Sequence, residues 1–158
     1  ILIMKKIKRN PLLVLPNSSE KVEKFINYLM VDGKKSTARR IFFDTIKEIK
    51  TNWHVNPFVV FETAIENASP NIMIKSKRIG WAVYQIPLEV PSKKKFFYSC
   101  RWIKEAAESK KWKPMYKKLA EEILAAYSNQ WSAVKKKEDA HKMAEANKAF
   151  AYLAKYVK

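Results

Sequence analysis

The sequence predicts a mainly α-helical domain, six helices with one protruding β-hairpin between the third and the fourth. Three observations carry that reading. Apolar residues recur at i, i+3, i+4 and i+7 over separate stretches, the spacing of one helix face. One stretch, Ile72 to Val90, alternates with period two instead, the spacing of a strand. There are only two glycines, and both Gly33 and Gly80 fall between elements.

Residues 1–19 read as a basic arm, with Lys5, Lys6, Lys8 and Arg9 followed by Pro11 and Pro16. Such an arm orders mainly on binding; a solvated tail is the competing reading. Residues 20–158 read as a single helical domain. Ser18 or Ser19 caps the first helix, with Glu20 and Glu23 near its positive end. Its stripe is Val22, Phe25, Ile26, Leu29 and Met30, and Asp32-Gly33 ends it. The second helix opens at Lys34-Lys35-Ser36-Thr37 and turns Ala38, Ile41, Phe42, Thr45, Ile46 and Ile49 inward. Asn56 caps the third, with Pro57 in its first position and Phe58, Phe61, Ile65 and Ala68 as its stripe. Glu62 and Glu66 are four apart, which suits a solvated or lysine-paired face better than an acid–base pair.

The hairpin spans about 71–90. In the first arm Ile72 and Ile74 alternate with Lys75 and Lys77; in the second Tyr84, Ile86, Leu88 and Val90 oppose Gln85 and Glu89. Each arm therefore has a packed and a wet face. A two-stranded ribbon is marginal alone in water, so something must brace its base. Its tip carries cations beside flat rings: Lys75, Lys77, Arg78, Trp81 and Tyr84. The fourth helix starts at Pro91-Ser92, with Phe96, Cys100, Ile103 and Ala107 inward and an unfavourable run of Lys93, Lys94 and Lys95 at its positive end. Pro114 begins the fifth, with Tyr116, Leu119, Ala120, Ile123 and Tyr127 on one face and i+4 pairing of Lys117 and Lys118 with Glu121 and Glu122. The sixth starts near Ser132 and is thinly apolar, through Ala140, Met143, Ala144 and Asn147; His141 reads as a surface residue.

Thirty-two basic residues face fifteen acidic ones across 158 positions, a formal charge of +17. Such a surface repels itself unless a polyanion answers it. Nucleic acid is the first candidate, anionic membrane the second, an acidic protein the third. No run approaches the ~20 apolar residues of a spanning helix. Cys100 is alone and the two histidines lie far apart, which disfavours a disulfide framework and a zinc site. No nucleophile–base pair or metal set supports an enzyme, so the expected catalytic residues, metals and cofactors are none. A free-standing DNA-binding protein would need an exposed recognition helix, and none stands out.

Three blocks carry a resemblance. They are Phe25 to Ala38 (FINYLMVDGKKSTA), Val83 to Val90 (VYQIPLEV) preceded by Lys75-Ser76-Lys77-Arg78, and Ala133 to Ala151 (AVKKKEDAHKMAEANKAFA). With Arg101-Trp102-Ile103 and Glu105-Ala106-Ala107 between them, the chain from about Glu20 to Tyr152 resembles the bacterial type of the universal small-subunit ribosomal protein seven family. The resemblance implies a helical fold with a protruding ribbon that binds the 3′ major domain of small-subunit ribosomal RNA and helps nucleate assembly of the subunit head. It implies a ribbon tip, Arg78, Ile79, Gly80, Trp81 and Ala82, near exit-site tRNA and mRNA, with ribosomal proteins nine and eleven as neighbours and no membrane. Carried over by position, the RNA-binding residues are Lys8, Arg9, Lys34, Lys35, Arg39, Lys75, Lys77, Arg78, Met115, Lys135 and Lys136. Where the family commonly has a second glycine in the tip, this chain has Trp81. Lysine far exceeds arginine, the drift of an AT-rich genome. With no import peptide read at the N-terminus, the expected location is the mitochondrial ribosome, with plastid and bacterial ribosomes as alternatives.

Overall fold

Among the described residues six α-helices and one antiparallel hairpin follow each other in the predicted order, and a 3₁₀ helix comes after them. This computed structural model describes residues 19–53, 56–130 and 133–156. The arm that holds Lys8 and Arg9 lies outside the described residues.

Helix α1, Glu20–Leu29, starts where Ser19 Oγ accepts the Val22 N–H at 3.3 Å, which decides between the two serines. It buries Val22, Phe25, Ile26 and Leu29. Asp32 and Gly33, both at positive φ (51° and 72°), turn the chain into α2, Lys35–Trp53. Helix α3, Pro57–Asn67, is capped by Asn56, whose side chain accepts the Phe58 N–H at 3.2 Å. Phe25, Phe42 and Phe61, one from each helix, meet with ring centroids 5.0–5.8 Å apart in tilted and edge-on contacts. Such ring pairs stabilise by about 0.5–1.5 kcal/mol beyond their buried area. Helix α5, Met115–Tyr127, lies against α2, α3 and α4, Ser92–Ser109. Thr45 is polar and fully buried, yet satisfied: its Oγ1 donates to Ile41 O at 2.8 Å and reaches Tyr116 O at 3.3 Å.

Three predicted inward residues are exposed instead: Phe58, Tyr127 and Met143. The Phe61 contact fixes the rotation of α3 so that Val60 and Ala64 turn inward and Phe58 turns out. On α5 Ala126 takes the buried place beside Tyr127, and on α6, Ala133–Ala146, the contact face is the narrow row Ala133, Val134, Ala140 and Ala144. The 3₁₀ helix, Lys148–Tyr156, was not predicted. Phe150 and Leu153 are three apart, which eclipses them in a three-residue turn. Leu153 is buried, and the Phe150 ring packs edge-on against Tyr84 at 5.4 Å.

Strands β1, Ile72–Ile79, and β2, Ala82–Glu89, form the hairpin. The register pairs Met73 with Leu88, Lys75 with Ile86, Lys77 with Tyr84, Ile74 with Pro87 and Arg78 with Val83. Cross-strand partners share a face. Ile72 and Ile74 therefore lie on the face opposite Tyr84, Ile86 and Leu88, so the apolar residues of the two arms do not share one face. Ile86 is fully buried while Ile72 is 40% exposed.

Asn71 bonds the base of the hairpin to two helices of the body. Asn71 donates its N–H to His141 Nε2 of α6 at 3.0 Å and accepts the Val90 N–H at 2.9 Å. Its Oδ1 accepts from Lys95 Nζ of α4 at 2.7 Å. His141, expected as an idle surface residue, is thus an acceptor and must be neutral at Nε2. Burial, then the charge of Lys137, holds its pKa below the ordinary 6.5.

The folded state therefore binds fewer protons at this site than the unfolded chain does. The resulting stability is complete above the unfolded pKa and is lost as pH falls below it. The thermal midpoint is expected to drop between about pH 7.5 and about pH 5.5 more steeply in the native chain than in His141→Gln. Parallel profiles for the two proteins would show that this bond does not stabilise the fold.

Candidate nucleic-acid interface

The excess of cations divides into those the fold uses internally and those it leaves outward. Lys104 Nζ donates to Tyr28 O at 3.1 Å, closing the end of α1, and Lys137 Nζ donates to Asn67 O at 2.8 Å, closing the end of α3. Both place positive charge at a helix C-terminus, where the helix dipole favours it. Asn67 Nδ2 in turn donates to Ala126 O at 3.0 Å, at the end of α5. None of these roles is legible from local spacing, because each partner lies 59 to 76 residues away.

The predicted cations at the start of α2 are largely committed. Glu23 is fully buried, and its Oε2 lies 3.0 Å from Arg39 and 3.6 Å from Lys35. Arg39 and Lys35 therefore neutralise an interior carboxylate, and Lys34 is the outward member of the trio, 4.0 Å from an equally exposed Asp32. Lys136 is bonded to Glu105 at 2.8 Å; together with Arg101 it holds that carboxyl below the usual carboxylate range. Lys135, beside it, is exposed and has no ion pair among the described residues. Met115 opens α5 half-buried and packed against the core. The expected i+4 pairing of Lys117 with Glu121 gives way to Lys110 and Lys113 from the preceding loop, which take Glu121, and Lys110 also takes Glu122 at 2.7 Å.

On the hairpin the picture reverses. Lys75, Lys77 and Arg78 are exposed along β1, and none makes an ion pair among the described residues. Arg78 Nε reaches Gly80 O at 3.3 Å across the tip. The loop is two residues long, Gly80-Trp81, between the paired Ile79 and Ala82. Gly80 sits at φ +62° and Trp81 does not have a positive φ, the pattern of a type II′ turn. One glycine therefore suffices, and the place of a second is open to tryptophan. The Trp81 ring is 95% exposed, whereas Tyr84 is drawn back onto Phe150. The two rings that the sequence set side by side thus separate, one outward and one structural.

Among the described residues no group of His, Cys, Asp and Glu is placed to hold a metal ion, and no helix is long and apolar enough to cross a membrane. Cys100 is fully buried, and burial pushes its thiol far above the usual range, so it is no nucleophile. The arrangement is a cationic finger on a helical body, suited to binding a polyanion.

Residues 3–148 match the family model described as ribosomal protein S7p/S5e. The small ribosomal subunit protein uS7 of Thermotoga neapolitana is 48% identical over 131 residues, covering 83% of this chain and 84% of its own length. That of Pseudothermotoga lettingae is 48% identical over 132 residues, 84% and 85% of the two chains. The uS7 of Rhodopirellula baltica is 47% identical over 133 residues, 83% and 85%.

The ion pairs separate structural from outward cations, and stability measurements can check the division. Arg39→Ala leaves the Glu23 carboxylate buried with Lys35 as its remaining partner, and is expected to cost about 2–4 kcal/mol in chemical denaturation. Lys135→Ala is expected to stay within about 0.5 kcal/mol of the native chain. Equal stability of the two variants would show that Arg39 does not hold Glu23.

Proposed function

Because this chain belongs to the S7p/S5e family of ribosomal proteins, we propose that it binds the 3′ major domain of small-subunit ribosomal RNA and helps nucleate assembly of the subunit head. The observation that carries the reading is the hairpin, on which Lys75, Lys77 and Arg78 stand exposed without carboxylate partners among the described residues. In this reading the tip, Arg78 to Ala82, lies near exit-site tRNA and mRNA. Lys34 and Lys135 extend the phosphate-binding surface, together with Lys8 and Arg9 of the arm. Lys35, Arg39 and Lys136 contribute their charge to the same field while holding Glu23 and Glu105. Met115 marks a further contact at the start of α5. Ribosomal proteins nine and eleven are the proposed neighbours.

Affinity in such a complex comes mainly from phosphate neutralisation and counterion release. A-form grooves admit little base readout, so recognition rests on RNA shape, 2′-hydroxyls and unstacked bases at junctions. The compartment is the ribosome. The excess of lysine over arginine supports a mitochondrial ribosome, and the bacterial relatives support the alternative of a bacterial one.

With about 6–10 phosphate contacts, affinity for the 3′ major domain is expected to fall by roughly three to five decades between about 50 and 200 mM salt. A flat titration would contradict the electrostatic mechanism. The double charge reversal Lys75→Glu with Arg78→Glu is expected to weaken that binding while circular dichroism and the thermal midpoint stay native. Loss of the helical signal would mean that these two residues hold the fold rather than the RNA.

A further inference from the structure

We propose that Trp112 is a stacking platform for an unpaired RNA base, a contact that deepens the RNA-binding reading above and rests on it. The ring is 98% exposed, in the loop between α4 and α5. An apolar ring of this size gains by burial, and here it has almost none. Its backbone is also unusual. Among the described residues three non-glycine residues have positive φ: Asp32, Asn129 and Trp112, the last at +69°. Asp and Asn tolerate that region; for a bulky side chain it is a true outlier, the kind of strain that is kept where a surface is held for a partner.

The loop is fastened on both sides of the ring. Before it, Lys110 bonds Glu122 at 2.7 Å and Glu121 at 3.2 Å; after it, Lys113 bonds Glu121, and Pro114 starts α5. Trp112 is thus presented by a braced turn rather than by a loose one. Beside it opens a concavity of about 740 Å³, whose wall includes Pro114, Lys117 and Leu124 and the carboxylates Glu48 and Glu121.

Charge selects the ligand. Residues 110–122 hold five lysines and two glutamates. The glutamates are answered by Lys110 and Lys113, whereas Lys111 and Lys117 are exposed with no ion pair among the described residues. A flat ring flanked by outward cations fits a nucleotide whose base stacks while its neighbouring phosphates meet the lysines. The base must be unpaired, because only a splayed base offers its face. α4 has 18 residues, about 27 Å of helix, and this loop leaves its end opposite the hairpin. The contact is therefore separate from the hairpin tip.

The probe is the in vitro transcribed 3′ major domain, bound to the full chain and to Trp112→Ala and Trp112→Phe. Trp112→Ala is expected to lose roughly 5- to 100-fold in affinity with an unchanged salt slope, because stacking releases no counterions. Trp112→Phe is expected to restore most of the loss. Native affinity in Trp112→Ala, or an equal loss in Trp112→Phe, overturns the proposal while the RNA-binding reading stands. A native chain that does not bind this RNA at all overturns both.

Discussion

The structure depends on the clamp at Asn71. A hairpin of two strands has too little apolar contact to hold itself in water. Here one asparagine gives its N–H to α6, its carbonyl to the end of β2 and its side-chain oxygen to α4. Those three bonds converge where the chain leaves α3 and where it returns after β2. Burial of Ile86 and Val90 and the Tyr84–Phe150 contact extend the grip along β2 as far as Tyr84. Beyond it, among the described residues, Trp81 of the tip and Val83 are exposed.

The same economy governs charge. A chain at +17 must either neutralise its cations or present them. The helical body neutralises many. Lys104 and Lys137 close helix ends, Arg39 and Lys35 hold a buried carboxylate, and Lys110 and Lys113 brace a loop. Among the described residues, none of the hairpin's Lys75, Lys77 and Arg78 is paired with a carboxylate. The hairpin thus presents its cations outward, a distribution that suits a protein that meets folded RNA. Buried ion pairs stabilise little in net terms, but breaking one is costly. The Glu23 cluster thus secures how α1 and α2 meet more than it adds stability.

Much of this was legible in the residues. Period-3.6 stripes located the six helices, Asn56-Pro57 marked a helix start, and Gly80 between alternating arms marked the turn, because each signal is local. What failed was what long-range packing decides. The rotation of α3 follows from the Phe25–Phe42–Phe61 contact, so Phe58 could not be assigned from spacing. The opposite faces of the two arms follow from a register that pairs Lys75 with Ile86. Asn71 and His141 looked unremarkable because their partners are 70 residues apart. Of the candidate interface, the hairpin cations were readable as exposed, but the inward duties of Lys35, Arg39 and Lys136 were not: a lysine or arginine in a sequence does not reveal which carboxylate it meets. The exposed Trp112 fell outside every periodic pattern, which is the one local hint that it is not core.

The most direct test compares the amine reactivity of each lysine, by acylation and mass spectrometry, in the free protein and in the reconstituted small-subunit RNA complex. Lys75, Lys77 and Lys135 should react readily alone and become protected in the complex, with Lys104 and Lys137 slow in both because they sit on carbonyls of the fold. Hairpin lysines that stay fully reactive in the complex would contradict the account.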